Sequence, residues 1–237
     1  MDMTRASNPK AWAALLMVGL LATLVVLALG ACGGEGEAGG QEKAKARTLP
    51  PVETTLRPGE YRSEEFEPSV SFRVGEGWSN GVEELPDFIQ LRQQGEIGSL
   101  QFANVKEVFK PGTTNVVEAP EDLVGWLQHH PYLKTSKPQP VTVGGVEGEQ
   151  LEVLIDHLPK DSNGYCGEPS GCLDIFNLSG GDEIGYFGKN FNARRLTVLG
   201  DVKGDTVVVW FAGPPDTFEK FAPKAQKVVD SVKWGGS

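Results

Sequence analysis

An almost unbroken apolar run from Ala11 to Leu29, preceded by Arg5 and Lys10 and interrupted only by Gly19 and Thr23, decides how much of this 237-residue chain can enter a folded domain. A basic start followed by an apolar stretch is the pattern of a secretory leader, although the usual apolar region is about 7–15 residues long. At about 1.5 Å rise per residue, the same run would also cross the roughly 30 Å hydrocarbon core of a bilayer as a permanent helix. In either reading the run is spent on the membrane, and the chain that follows lies outside the cytoplasm.

The residues that close the run separate the two readings. Leu29-Gly30-Ala31-Cys32 resembles the bacterial lipobox, in which a branched apolar residue and two small residues precede the cysteine that is lipidated. Small residues let the backbone enter a peptidase site, and a thiol is the only side chain there that can become a thioether. The resemblance implies cleavage between Ala31 and Cys32, a diacylglycerol on the Cys32 sulfur and a palmitate-type acyl chain. Two acyl chains anchor stably where one binds only reversibly. Residues 1–31 are therefore expected to be a signal peptide, and the protein to sit on the extracytoplasmic face of the cell membrane.

Charge limits what the exported part can bind. The net charge of −10 becomes −11 once Arg5, Lys10 and Asp2 leave with residues 1–31. Nucleic-acid binding needs clustered Lys and Arg to release counterions, and no such cluster is visible along the chain. No nucleic-acid partner is expected, and no cofactor motif is present. From Gly33 to about Arg47 the composition is Gly, Glu, Ala, Gln and Lys, too poor in apolar residues to offset chain entropy. With Pro50 and Pro51 extending it, a tether is expected over 32–56 and one α+β domain over 57–237.

After Cys32 only Cys166 and Cys172 remain, in the Gly- and Pro-rich stretch Asn163–Cys172. In an oxidising compartment a disulfide is the default, and closing so short a loop contributes about 2 kcal/mol in the chain-entropy model. A redox-active pair is the alternative, but the spacing is not Cys-x-x-Cys and no helix start lies beside it.

Alternation dominates the rest. Val70 to Val74 reads as a strand turning at Gly75–Gly77. Phe88 to Arg92 and Ile97 to Val105 read as strands joined by Gln93-Gln94-Gly95. Further strands are expected at 141–143, 150–155, 173–178, 195–199 and 206–211, with hairpin turns at Gly144-Gly145 and Lys203-Gly204. A short amphipathic helix is expected from Glu121 to His130, stopped by Pro131. The clearest helix carries Phe218, Phe221, Ala222, Ala225, Val228, Val229 and Val232 on one stripe, with Lys220, Lys224, Lys227 and Asp230 turned away. Asp216 and Glu219 suit its cap, and Pro223 predicts a break with a restart near Ala222. The fold class expected is α+β, a mainly antiparallel sheet with a few helices packed on it.

The strand and turn Ser71-Phe-Arg-Val-Gly-Glu-Gly-Trp78, the segment Trp126-Leu-Gln-His-His-Pro131 before Val141–Gly145, and the closing Val228-Val-Asp-Ser-Val-Lys-Trp234 resemble exported actinobacterial-type lipoproteins, similar to the Mog1/PsbP-like α/β sandwich. The resemblance spans roughly Val70 to Trp234. It implies a binding or accessory role at the cell envelope, with an envelope protein as partner, and no catalysis.

Short catalytic matches are weighed against that. Gly77-Trp-Ser79-Asn-Gly81 fits the nucleophile elbow, which requires a substantial helix after the serine; residues 82–86 are too few, so a plain turn is expected, with a Ser79 hydrolase as the alternative. Gly180-Gly-Asp-Glu183 resembles a cyclase loop but continues with Ile184. His129 and His130 are adjacent, so on a helix they diverge by about 100° and do not share an ion. Asp161, Asn163, Glu168 and Asp174 lack the spacing of a calcium loop. Two readings stay open for the aromatics Tyr165, Tyr186, Phe187 and Phe191. They form a recognition surface beside the stapled loop, or they pack beneath long loops. A carrier of an apolar small molecule between sheet and helix is a further alternative.

Overall fold

The computed structural model describes residues 45–95, 98–159, 171–179, 185–188 and 193–235. Its first half runs β1 (Arg47–Thr48), β2 (Gly59–Arg62), β3 (Val70–Val74), β4 (Trp78–Asn80), β5 (Phe88–Gln93), β6 (Gly98–Asn104), β7 (Glu107–Phe109), β8 (Val116–Glu118) and helix α1 (Leu123–Gln128). There follow β9 (Leu133–Thr135), β10 (Gln139–Val143), β11 (Val146–Ile155), β12 (Cys172–Asp174), β13 (Phe176–Asn177), β14 (Tyr186–Gly188), β15 (Ala193–Val202), β16 (Asp205–Gly213), helix α2 (Pro215–Val229) and β17 (Lys233–Trp234).

The run Val207–Ala212 explains the layering. Successive strand residues point to opposite faces, and here both faces are buried: Val207, Val209 and Phe211 enter one core, while Val208, Trp210 and Ala212 enter the other. β16 is accordingly interior to a large antiparallel sheet ordered β10-β11-β15-β16-β6-β5-β4, with β9 also on β11. One face is covered by α2 and a small sheet ordered β1-β2-β3-β17. The other is covered by α1, the pair β12-β14 and the three-stranded sheet β13-β7-β8. This is a mainly antiparallel α+β sandwich, the class expected from the alternation. Residues 43–237 form one compact unit, and both cores lie inside it.

The first core is aromatic at its centre. Phe72 stacks on Phe102 with centroids 5.7 Å apart, and Phe221 of α2 meets Trp78 at 6.0 Å and Phe211 at 6.4 Å. Phe221 lies over Gly98, where a Cβ would fall 2.5 Å from the ring. The hairpin turns expected from sequence are present. Gly144 and Gly145 take φ of +58° and +84°, and Lys203 and Gly204 take +59° and +94°, the two consecutive left-handed residues that match strand twist.

Two expectations are corrected. Residues 45–56 belong to the folded body, whereas a free tether was expected as far as 56. Arg47 pairs with Tyr61 in β1-β2, the Leu56 N–H donates to the Trp78 carbonyl at 2.7 Å, and Leu56 is buried. The prolines do keep this segment extended, but it is held against β4 through Glu53, Thr54 and Leu56. Second, α2 is continuous through Pro223 and has no side-chain cap, with Pro214 before it and Pro215 opening it. A proline at the first position loses no helical bond. The Pro223 ring lies on the exposed face, so it removes one hydrogen bond without entering the core. The shorter helix α1 is capped by Asp122, whose Oδ1 accepts from the Gly125 N–H at 2.7 Å.

Candidate functional site

Of the residues singled out by sequence, Ala31, Cys32, Tyr165, Cys166 and Phe191 lie outside the described residues, as do Asp161, Asn163, Glu168 and Gly180–Glu183. Among the described residues no helix is long and apolar enough to cross a membrane. Cys172 begins β12 and is buried. Tyr186 pairs with Asp174 in the β12-β14 ladder. Phe187 has no exposed surface. Its ring meets Phe176 edge-on at 6.1 Å and carries the Arg194 guanidinium 4.5 Å over its face. Phe187 therefore belongs to the core and is corrected out of the recognition surface. The Arg194 guanidinium also donates to the Gly188 carbonyl at 2.9 Å, so an arginine is built into this core beside the β14 strand.

Ser79 lies within β4, antiparallel to β5 and bridged to Thr55 on its other side. Its hydroxyl donates to the Arg92 carbonyl at 3.5 Å. No helix follows it, since the chain passes directly to β5. The three histidines of the chain gather elsewhere. His129 Nδ1 meets the Gly125 carbonyl at 2.7 Å, capping α1, while His130 turns inward and is 3% exposed. The His130 ring lies 5.0 Å from Trp126 and 5.9 Å from Tyr132, and Tyr132 meets His157 at 5.2 Å. Burial lowers the His130 pKa to about 4, because desolvation disfavours the imidazolium. β11, next to this corner, is separated from β4 by four strands, roughly 24 Å at about 4.8 Å per strand. Ser79 and a histidine are not brought together. Nor do the adjacent histidines converge: one holds a helix end and the other is inside. Among the described residues no group of three His, Cys, Asp or Glu is arranged to hold a metal.

The space between α2 and the large sheet, where an apolar ligand was considered, is occupied by Phe218, Phe221, Ala225 and Val228 packed on Leu100, Phe102, Val209 and Phe211. Among the described residues there is also a surface concavity of another kind. A cleft of about 320 Å³ opens at the end of the small sheet, lined by Arg62, Ser63, Glu64, Ser69, Ser71 and Gly235 among others. Arg62 bonds Glu64 at 3.1 Å. Glu84 reaches under its rim, accepting from the Ser63 hydroxyl, from the Glu64 N–H at 2.8 Å and from the Glu65 N–H at 3.2 Å. A guanidinium paired to a carboxylate beside hydroxyls suits a polar, hydroxyl-bearing group. Sequence reading missed this cleft because its residues come from β2, β3 and the end of β17, and only strand pairing brings them together.

No protein-family model and no curated protein matches the chain. Among solved structures it is similar to LpqN of Mycobacterium tuberculosis, described as involved in cell envelope biogenesis, with 12% identity, a TM-score of 0.37, and coverage of 76% of this chain and 93% of that one. It is also similar to the cyanobacterial PsbP, CyanoP, of Synechocystis, with 11% identity, a TM-score of 0.36, and coverage of 87% of this chain and 98% of that one. An envelope protein and a PsbP protein are thus among the structures it resembles.

Proposed function

We propose that this chain is a lipoprotein held by Cys32 at the extracytoplasmic face of the cell membrane, where its folded domain acts as a binding or accessory module of the envelope. The observation that carries the reading is Leu29-Gly30-Ala31-Cys32 at the end of the apolar run, followed by a polar stretch and then by a compact unit that begins at residue 43. An anchored domain needs that order of parts. The Cys166–Cys172 disulfide belongs to the same proposal, since export supplies the oxidising compartment it requires.

Binding is favoured over turnover by where the reactive groups lie. The serine of the one nucleophile-like motif sits inside a strand ladder, and the histidines stand at the opposite edge of the large sheet. The cleft beside Arg62 and Ser71 is polar and open, which fits recognition of a polar surface better than carriage of an apolar molecule. Cross-linking in intact cells followed by detergent extraction tests the role. A stoichiometric envelope protein captured with wild-type chain, and lost when Cys32→Ala releases the chain from the membrane, supports it. Ester or amide turnover that survives purification and disappears with Ser79→Ala would replace it.

A further inference from the structure

Two buried oxygens at the end of the β5-β6 ladder have no donor. Asp87 Oδ1 and Asn104 Oδ1 are both closed off from solvent, and among the described residues neither receives a hydrogen bond. They belong to neighbouring side chains. Phe88 pairs with Ala103, and the Asn104 N–H donates to the Asp87 carbonyl at 3.0 Å, so Asp87 stands opposite Asn104 one step beyond that pair. Directly opposed residues project from the same face of a sheet, with Cβ atoms about 4.5–5.5 Å apart.

The groups around them are already committed or cannot donate. Val207 of β16 flanks Asn104 on its far side. Asn104 is 2% exposed, and its Nδ2 donates to the Glu67 carbonyl at 2.8 Å. Turned over, the amide would set its oxygen at that distance from the Glu67 oxygen, acceptor against acceptor. Asp87 Oδ2 accepts from the Ser179 N–H at 2.7 Å and from the Ser179 hydroxyl at 2.8 Å. Among the described residues no Lys, Arg or His pairs with the Asp87 carboxylate. A carboxylate oxygen and an amide oxygen side by side, both desolvated and unbonded, call for a donor or a positive centre between them.

The same corner carries main-chain oxygens: the Glu67 carbonyl, and the Pro86 carbonyl that accepts from the Glu67 N–H at 2.7 Å. An oxygen set without nitrogen or sulfur suits a hard cation. Magnesium dehydrates reluctantly and demands an octahedron, whereas calcium accepts irregular sets of carboxylate, amide and main-chain oxygens. We propose that Asp87 Oδ1 and Asn104 Oδ1 hold a calcium ion at this corner, with the main-chain oxygens of Glu67 and Pro86 beside it. With one acid in the set, no trio of ionisable side chains marks the site. A single carboxylate places the affinity in the roughly millimolar range of extracellular calcium modules. The ion ties the β2–β3 connection to the β5-β6 ladder and, through Asp87, to Ser179 beyond β13.

The test uses the chain from Gly33 to Ser237, which contains the whole compact unit, freed of metal with a chelator. Its thermal unfolding is followed at matched ionic strength in calcium chloride, magnesium chloride or sodium chloride. At about 10 mM calcium and a dissociation constant of about 1 mM, the midpoint is expected to rise by roughly 3–5 °C, and with magnesium or sodium by less than about 1 °C. Asp87→Asn keeps an acceptor for Ser179 and can turn an N–H toward Asn104, so it is expected to fold and to lose the calcium response. Asn104→Asp supplies the opposite change. Its second carboxylate is expected to lower the midpoint without calcium and to tighten calcium binding about tenfold, read by titration calorimetry. A calcium response that survives in Asp87→Asn, or one equalled by magnesium or sodium, would overturn the proposal. No response in the wild-type chain would also overturn it, assigning the two oxygens to a bridging water.

Discussion

The indole Nε1 of Trp234 donates to the carbonyl of Val143 at 2.9 Å, fastening the last strand of the small sheet to the β10–β11 hairpin at the edge of the large one. The turn beneath it must be glycine for two reasons. Gly144 holds φ +58°, and a Cβ there would lie 2.7 Å from the Trp234 ring. The left-handed backbone alone costs a non-glycine residue about 1–2 kcal/mol. Gly144→Ala is therefore expected to lower stability by at least that amount, and by less in a Trp234→Ala background, where the steric part is gone. Chemical denaturation of the two single variants and the double variant checks the coupling.

A second close approach lies inside the first core, where Phe221 covers Gly98. Adding a methyl group to a filled core costs about 1–3 kcal/mol. Gly98→Ala is expected to fall in that range with unchanged secondary structure. A Phe221→Leu variant tests the cause: if the clash is with the ring, Gly98→Ala costs less in that background than in the wild type.

His130 gives the fold a defined acid sensitivity. Its folded pKa of about 4 lies below the ordinary 6.5, so between those values the unfolded chain binds a proton that the native chain does not. Stability therefore falls as pH drops from about 6.5 toward about 4, by about 2 kcal/mol between pH 7 and pH 5. Carboxylates add their own dependence, which is why the comparison matters. In His130→Gln, thermal or urea unfolding at pH 7 and pH 5 is expected to show a smaller loss than wild type, by about that amount. Equal losses in the two proteins would contradict the buried neutral imidazole.

Ser79 has a backbone partner in a ladder, and the three histidines lie across the large sheet from it. Ser79→Ala is expected to leave hydrolysis of activated esters at the solvent background and to change stability by less than about 1 kcal/mol. Parallel rate measurements on wild-type and variant chains check this.

Local chemistry made much of the fold legible before any coordinates. Alternation located β3, β5, β6 and β16, Gly144-Gly145 and Lys203-Gly204 located two hairpins, and the apolar stripe located α2. Non-local effects were hidden. Arg47–Leu56 looked like spacer because its order comes from backbone bonds to β4, which leave no trace in composition. Pro223 looked like a break because the sequence does not say which helix face it occupies. Phe187 stayed open between a recognition surface and packing beneath a loop, because its glycine-rich neighbours do not say which way the ring faces. The polar cleft was unreadable because Arg62, Ser71 and Gly235 come from separate stretches of chain and meet only through the pairings of β2, β3 and β17.

The mass of the N-terminal peptide of protein extracted from its native membrane tests the lipid anchor, on which the proposed function depends. The expected result is a peptide that begins at Cys32 and carries a diacylglycerol thioether. An intact Met1, or an unmodified Cys32 in membrane-bound protein, would contradict it.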